Sequence, residues 1–138
     1  MKRRALLAGM AALATAPAVR AQHRPVIGFL NASANSGEFL RDLRRGLAEQ
    51  GFGESDYDVE ARSAESKADR LPPLARELVA RKVDVIVATG GSAPARASKE
   101  ATGTIPIVFV SAADPLRAGL VKDPEAWAHR GTIHPLSW

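Results

Sequence analysis

The 138-residue sequence contains no cysteine. That absence excludes a disulfide framework, a thiolate metal site, a cysteine nucleophile and a lipid-bearing cysteine after an export signal. Histidine is nearly absent as well: His23, His129 and His134 are the only three. The spacing of His129 and His134 is too weak a signal for a metal site. Phosphate-binding motifs are also missing. No G-x-G-x-x-G follows the first apolar run, which excludes the usual dinucleotide fingerprint, and no G-x-x-x-x-G-K-[ST] occurs anywhere. Gly90-Gly91-Ser92-Ala93-Pro94 begins like a serine-hydrolase elbow, but Pro94 replaces the second glycine and no histidine is well placed. A phosphoryl-receiver domain would carry acids where Asn31 and Thr89 stand. With no acid–base pair and no nucleophile constellation, an enzyme is not indicated, and no cofactor or metal is implied.

An excess of charge is missing too, once it is located. The formal charge is +4. Four of the 19 basic residues (Lys2, Arg3, Arg4 and Arg20) precede Gln22, and the other 15 face 15 acids. The body is therefore balanced, which gives no support to nucleic-acid or anionic-membrane binding. The basic start has its own meaning. Lys2-Arg3-Arg4 is a positive n-region, Ala5 to Ala16 a short apolar run, and Val19-Arg20-Ala21 a possible cut site before Gln22. This is the form of a cleavable secretory signal over residues 1–21, and the apolar stretch is too short to span a bilayer comfortably. A twin-arginine signal is faintly suggested by Arg3-Arg4. The expected location is periplasmic.

What is present is a regular alternation of strand and helix patterns. Pro25 to Leu30 reads as a buried strand, followed by a small-residue loop, Asn31 to Gly37. Glu38 to Gln50 reads as a helix with Phe39, Leu40, Leu43 and Leu47 on one face; Ser36 or Gly37 would cap it and Gly51 end it. The exposed Arg41, Arg44 and Arg45 read as a solvated helix face. Tyr57 to Arg62 alternates Val59 and Ala61 with Asp58, Glu60 and Arg62, the pattern of an edge strand with one wet face. A second helix starts near Asp69, where Leu71, Leu74, Ala75, Leu78 and Val79 form a stripe and Pro72 and Pro73 fit the first turn. Val83 to Ala88 is a strand that is apolar apart from Asp84, Pro94 to Ala101 a short helix and Ile105 to Val110 a fourth strand. The order β-α-β-α-β-α-β with short connections predicts an α/β fold: a Rossmann-like, doubly wound parallel sheet in spatial order 2-1-3-4.

In such sheets, ligands bind at the carboxyl ends of strands where the strand order reverses. Here that point lies between the first and third strands, with tips Asn31-Ala32-Ser33 and Thr89-Gly90-Gly91-Ser92. The fourth strand adds Ser111 and Asp114. Any one of these tips reads most simply as a turn. Three on one sheet edge, each leading toward a helix start with free N–H groups, point to binding.

Several stretches together resemble the amino-terminal lobe of the ABC transporter substrate-binding protein family. That branch has a type I periplasmic-binding-protein fold and is similar to the tryptophan and tyrosine transport binding proteins. The stretches are Val26-Ile27-Gly28-Phe29-Leu30-Asn31, Asp69-Arg70-Leu71-Pro72, Ile105-Pro106-Ile107-Val108-Phe109-Val110, Ala113-Asp114-Pro115 and Ala118-Gly119-Leu120-Val121. The resemblance implies a non-catalytic receptor that closes two lobes on a small, amino-acid-like ligand and delivers it to an ABC permease in the inner membrane. It places Asn31, Ala32, Ser33, Thr89, Gly90, Gly91, Ser92, Ser111 and Asp114 on the ligand wall. Hydroxyls and helix starts would hold a carboxylate, and Asp114 would meet an amino group.

The resemblance runs from about Arg24 to Val121, within an expected lobe over residues 22–121, and stops. Residues 122–138 show neither a helical stripe nor strand alternation and lack second-lobe sequence. A shifted reading frame across Glu125 to Thr132 can, with the right third bases, spell a segment like the family's own continuation. The expectation is therefore a truncated or frameshifted receptor with impaired binding. The rival reading is a free-standing exported α/β regulatory or protein-interaction domain, whose tail would pack through Trp127 or Trp138 and resist proteolysis.

Overall fold

The computed structural model describes residues 23–110, 114 and 116–122. The expected signal, its cut before Gln22, Ser111 and the tail beyond Lys122 with both tryptophans lie outside them. Strands and helices alternate in the order β1 (Val26–Asn31), α1 (Ser36–Glu49), β2 (Asp58–Ser63), α2 (Leu71–Ala80), β3 (Val85–Thr89), α3 (Ser92–Ala101) and β4 (Ile107–Phe109). All strand pairs are parallel, in the order β2-β1-β3-β4. The sheet is the expected one, with β1 and β3 central. The strands sit one or two residues from their sequence-based bounds, and Asn31 and Thr89 prove to be the last strand residues rather than loop.

The two sheet faces are covered differently. Leu30, Ile86 and Ile107 pack against Leu71, Ala75 and Leu78 of α2 and Ala97 of α3. Fully burying such a leucine or isoleucine stabilises the fold by about 1.5–3 kcal/mol. Close approach of α2 depends on Gly28, where a Cβ would stand 2.9 Å from Val83 Cγ2 and 3.4 Å from Leu78 Cδ1. The stripe on α2 follows the sequence, but Ala68–Arg70 forms a 3-10 turn and the α-helix proper starts at Leu71. The opposite face carries Ile27, Phe29, Tyr57 and Val87 under the half-buried Leu40, Leu43 and Leu47 of α1. Phe39 is 37% exposed and lies beside this stripe rather than on it. Asn35, not Ser36 or Gly37, stands at the helix cap.

Edge strand β2 departs from simple alternation. Ala61 is exposed, while Arg62 and Glu60 are half-buried. Arg62 donates to Glu77 of α2 at 2.9 Å and lies 3.3 Å from Glu60, which raises its already high pKa, chiefly through the Glu77 bond. Asp58 pairs with Arg24 at 3.1 Å. These charges tie helix to strand and blunt an open sheet edge.

At the other end of the strands, Asp84 Oδ2 accepts the Val26 N–H at 2.7 Å and Oδ1 lies 3.5 Å from His23 Nε2. The Val26 N–H, aided by His23, holds the carboxyl below its ordinary range. A lowered folded-state pKa gives stability that is fully present above the ordinary carboxylate value and lost as pH falls through the folded one. The Asp84→Asn variant should therefore melt lower than the parent near neutrality, with the gap closing in acid. The side chain is 42% exposed, so screening keeps the effect under about 1 kcal/mol. Parallel thermal melts across pH check it.

Candidate functional site

The register aligns Asn31 of β1 with Thr89 of β3 and with Ser63 of β2. Three strand ends thus share one edge. Asn31 is wholly buried and Thr89 is 4% exposed. Asn31 Nδ2 donates to Thr89 Oγ1 at 2.6 Å, across the point where the strand order reverses. Its Oδ1 accepts from the Ser33 N–H at 2.7 Å and from Ser33 Oγ at 2.9 Å. The Ala32 N–H continues the ladder to the Thr89 carbonyl at 3.1 Å.

Gly90 makes this junction possible. Its φ is +89°, and a Cβ there would stand 3.1 Å from the Ala32 nitrogen. Gly91, with φ of +110°, precedes α3, and no side chain caps that helix. Its first N–H groups follow directly on the β3 tip, where a helix start favours an acceptor or an anion. Ala32, Ser33 and Ser92 are half-buried, and Gly90 and Gly91 are exposed.

The structure thus gathers Asn31, Ala32, Ser33, Thr89 and Gly90 into one network, with Gly91 and Ser92 adjoining in sequence. Asp114 is exposed; its Oδ1 accepts the Leu116 N–H at 2.9 Å and its carbonyl accepts the Ala118 N–H at 2.9 Å. The carboxylate therefore shapes a turn. Ser111 lies outside the described residues. The β1 tip offers fewer donors than expected, because Asn31 already takes the Ser33 N–H.

Sequence reasoning missed the tip of β2. Ser63 Oγ donates to the Ser33 carbonyl at 3.0 Å and accepts the Glu65 N–H at 3.2 Å. Ser66 N–H reaches the Ala32 carbonyl at 2.7 Å. Glu65 and Ser66 are both left-handed, at φ 52° and 64°. The available signal was Ser63-Ala64-Glu65-Ser66, a small polar run like the other tips but overshadowed by the edge character of β2. Open concavities flank the network. One of about 430 Å³ is lined by Ser63, Glu65, Arg70, Pro73, Leu74 and Glu77. Another of about 510 Å³ is lined by Asn35, Gly37, Glu38 and Arg41. Among the described residues no cluster of three or more His, Asp or Glu side chains is suited to a metal ion.

Known proteins share this fold. An ABC domain from Streptococcus pneumoniae in complex with L-Trp is 25% identical, with a TM-score of 0.66 over 73% of this chain and 35% of that one. A conserved domain protein from Vibrio cholerae is 27% identical, with a TM-score of 0.71 over 83% of this chain and 39% of that one. A substrate-binding protein with adhesive properties from Clostridium difficile, in its ligand-free, open structure, is 24% identical (TM-score 0.64, 72% of this chain, 34% of that one) and supports the fold alone. The chain thus spans a little over a third of the length of these proteins. No curated protein matches the sequence. The family model for ABC transporter substrate-binding proteins matches residues 29–130. Its span takes in the tips of β1, β2 and β3, strand β4 and the turn beyond it: the chain belongs to the ABC transporter substrate-binding protein family.

Proposed function

We propose that the chain is the substrate-binding component of an ABC-type importer and that the carboxyl ends of β1 and β3 form one wall of its ligand site. The observation that carries this reading is the Asn31–Thr89 bond, which locks two polar strand tips together at the point of strand reversal. The ligand is a small organic molecule of amino-acid type, in keeping with the L-Trp held by the pneumococcal relative. Its carboxylate would meet Thr89, Ser92 and the start of α3, and its amino group would face Asp114. Export through the signal in residues 1–21 would bring the receptor to the periplasm, where a membrane permease would be its partner.

The wall formed by the described residues is open and would meet a ligand from one side. High affinity in a hinged receptor comes from closure of a second surface. Binding by this chain is therefore expected to be weak. Calorimetry with L-tryptophan and a panel of α-amino acids tests the reading. Weak, saturable binding of at least one of them is expected. No binding by any would contradict the ligand class, and tight binding at one site per chain would contradict the open wall.

A further inference from the structure

We infer that Asn31 is a positioning residue rather than a ligand contact, and that it makes the Thr89 hydroxyl a hydrogen-bond donor for an acceptor group, a carboxylate or carbonyl, on the ligand; the ligand half rests on the function proposed above. Hydrogen-bond polarity fixes both roles. A backbone N–H only donates, so the Asn31 atom 2.7 Å from the Ser33 nitrogen must be the oxygen. Ser33 Oγ sits on the same oxygen at 2.9 Å. The amide NH2 is thereby turned toward Thr89 Oγ1, 2.6 Å away. An NH2 only donates as well, so Thr89 Oγ1 accepts and its own proton points elsewhere. Among the described residues that proton has no acceptor, whereas Asn31 Oδ1, the Ser33 N–H and Ser33 Oγ are each partnered in a fixed sense.

Exposure separates the two roles. Asn31 is 0% exposed and beyond a ligand's reach, whereas Thr89 retains 4% at the strand end beside the bare Gly90. A chain of fixed polarity thus runs from the Ser33 N–H through the Asn31 amide to the Thr89 hydroxyl. Its free end is a donor, on the tip that opens into the uncapped start of α3. Both features favour an acceptor, and an acceptor carrying negative charge most of all.

A ligand-free test reads the polarity alone. In Asn31→Asp the introduced carboxyl accepts on both oxygens, and a Thr89 proton that is free turns inward to it. A hydrogen bond to the charged form lowers a carboxyl pKa. Carbon-detected NMR titration should therefore give a lower pKa for this carboxyl in Asn31→Asp than in Asn31→Asp with Thr89→Val. Equal values would show the Thr89 proton committed elsewhere and overturn the assignment.

A second measurement leaves Asn31 in place, which matters if the buried charge prevents folding. L-Tryptophan should shift the amide resonances of Gly90, Gly91 and Ser92 more than tryptamine, which lacks the carboxylate. Thr89→Ser should retain this response, and Thr89→Val should weaken it by about tenfold. An equal response to tryptamine, or full retention in Thr89→Val, overturns the acceptor role. Failure of both compounds overturns the ligand half, while a pKa difference in the titration leaves the polarity of Thr89 standing.

Discussion

The Phe29→Ala variant is expected to lose about 3–5 kcal/mol of folding stability, a large share of what a domain of this size possesses. Phe29 lies mid-strand on central β1 and is 1% exposed. It pairs in register with Ala61 of β2 and Val87 of β3, and packs with Ile27, Tyr57 and Val87. Truncation removes the apolar ring and leaves a void bounded by sheet backbone, which cannot collapse. The roof is more yielding: Leu40, Leu43 and Leu47 are only half-buried, and α1 contains no fully buried residue. Some inward movement of α1 places the expected loss toward the lower end of that range. Phe29→Leu, which keeps most of the volume, should cost under about 1.5 kcal/mol. Urea unfolding of the three proteins checks both values. A loss under about 1 kcal/mol for alanine would mean that this face of the sheet is not a packed core.

Gly90→Ala should be the most damaging single-methyl change at the site, with an expected loss of about 2–4 kcal/mol. Two costs combine. The residue sits at φ of +89°, which disfavours any side chain, and the new Cβ would stand 3.1 Å from the Ala32 nitrogen and 3.2 Å from its Cβ. Relief requires the β3 tip to move away from β1, which stretches the Ala32 N–H bond to the Thr89 carbonyl and the Asn31–Thr89 bond beside it. The damage should therefore be local as well as global. Amide hydrogen exchange should rise first at Ala32 and Ser33. Gly91→Ala is a useful contrast, because nothing lies within 4 Å of its added Cβ although φ is +110°. Strain alone should cost less than strain with a backbone clash.

Much of the fold is readable in residue patterns because burial on two faces and on one face leave different signatures. The uninterrupted Val85-Ile86-Val87-Ala88 marks an interior strand, while Asp58-Val59-Glu60-Ala61-Arg62 marks an edge, and together these order the sheet. The alternation still misleads in detail. It suggests a buried Ala61 and a wet Glu60, whereas the Arg62 guanidinium draws Glu60 and Glu77 together across helix and strand. A charge network of that kind depends on the α2–β2 approach, which no local pattern encodes.

The tips show the same boundary. Their small polar composition is apparent from the sequence, but the separation of roles is not. Asn31 and Thr89 meet only because β1 and β3 pair in a register that sets residues 58 apart side by side. The link from Ser63 to the Ser33 carbonyl depends likewise on pairing with β2. Composition could not reveal that the buried Asn31 holds Ser33 and the hydroxyl of Thr89 together.

The most direct measurement is an amide-resonance map of the isotope-labelled chain during titration with a pool of α-amino acids that includes L-tryptophan. The account predicts progressive, fast-exchange shifts grouped at Ala32, Ser33 and Thr89 to Ser92, with His23 and Asp84 at the far end of the strands unmoved. No shifts at the strand tips, or shifts confined to the far end, would contradict the claim that the carboxyl ends of β1 and β3 form the ligand wall.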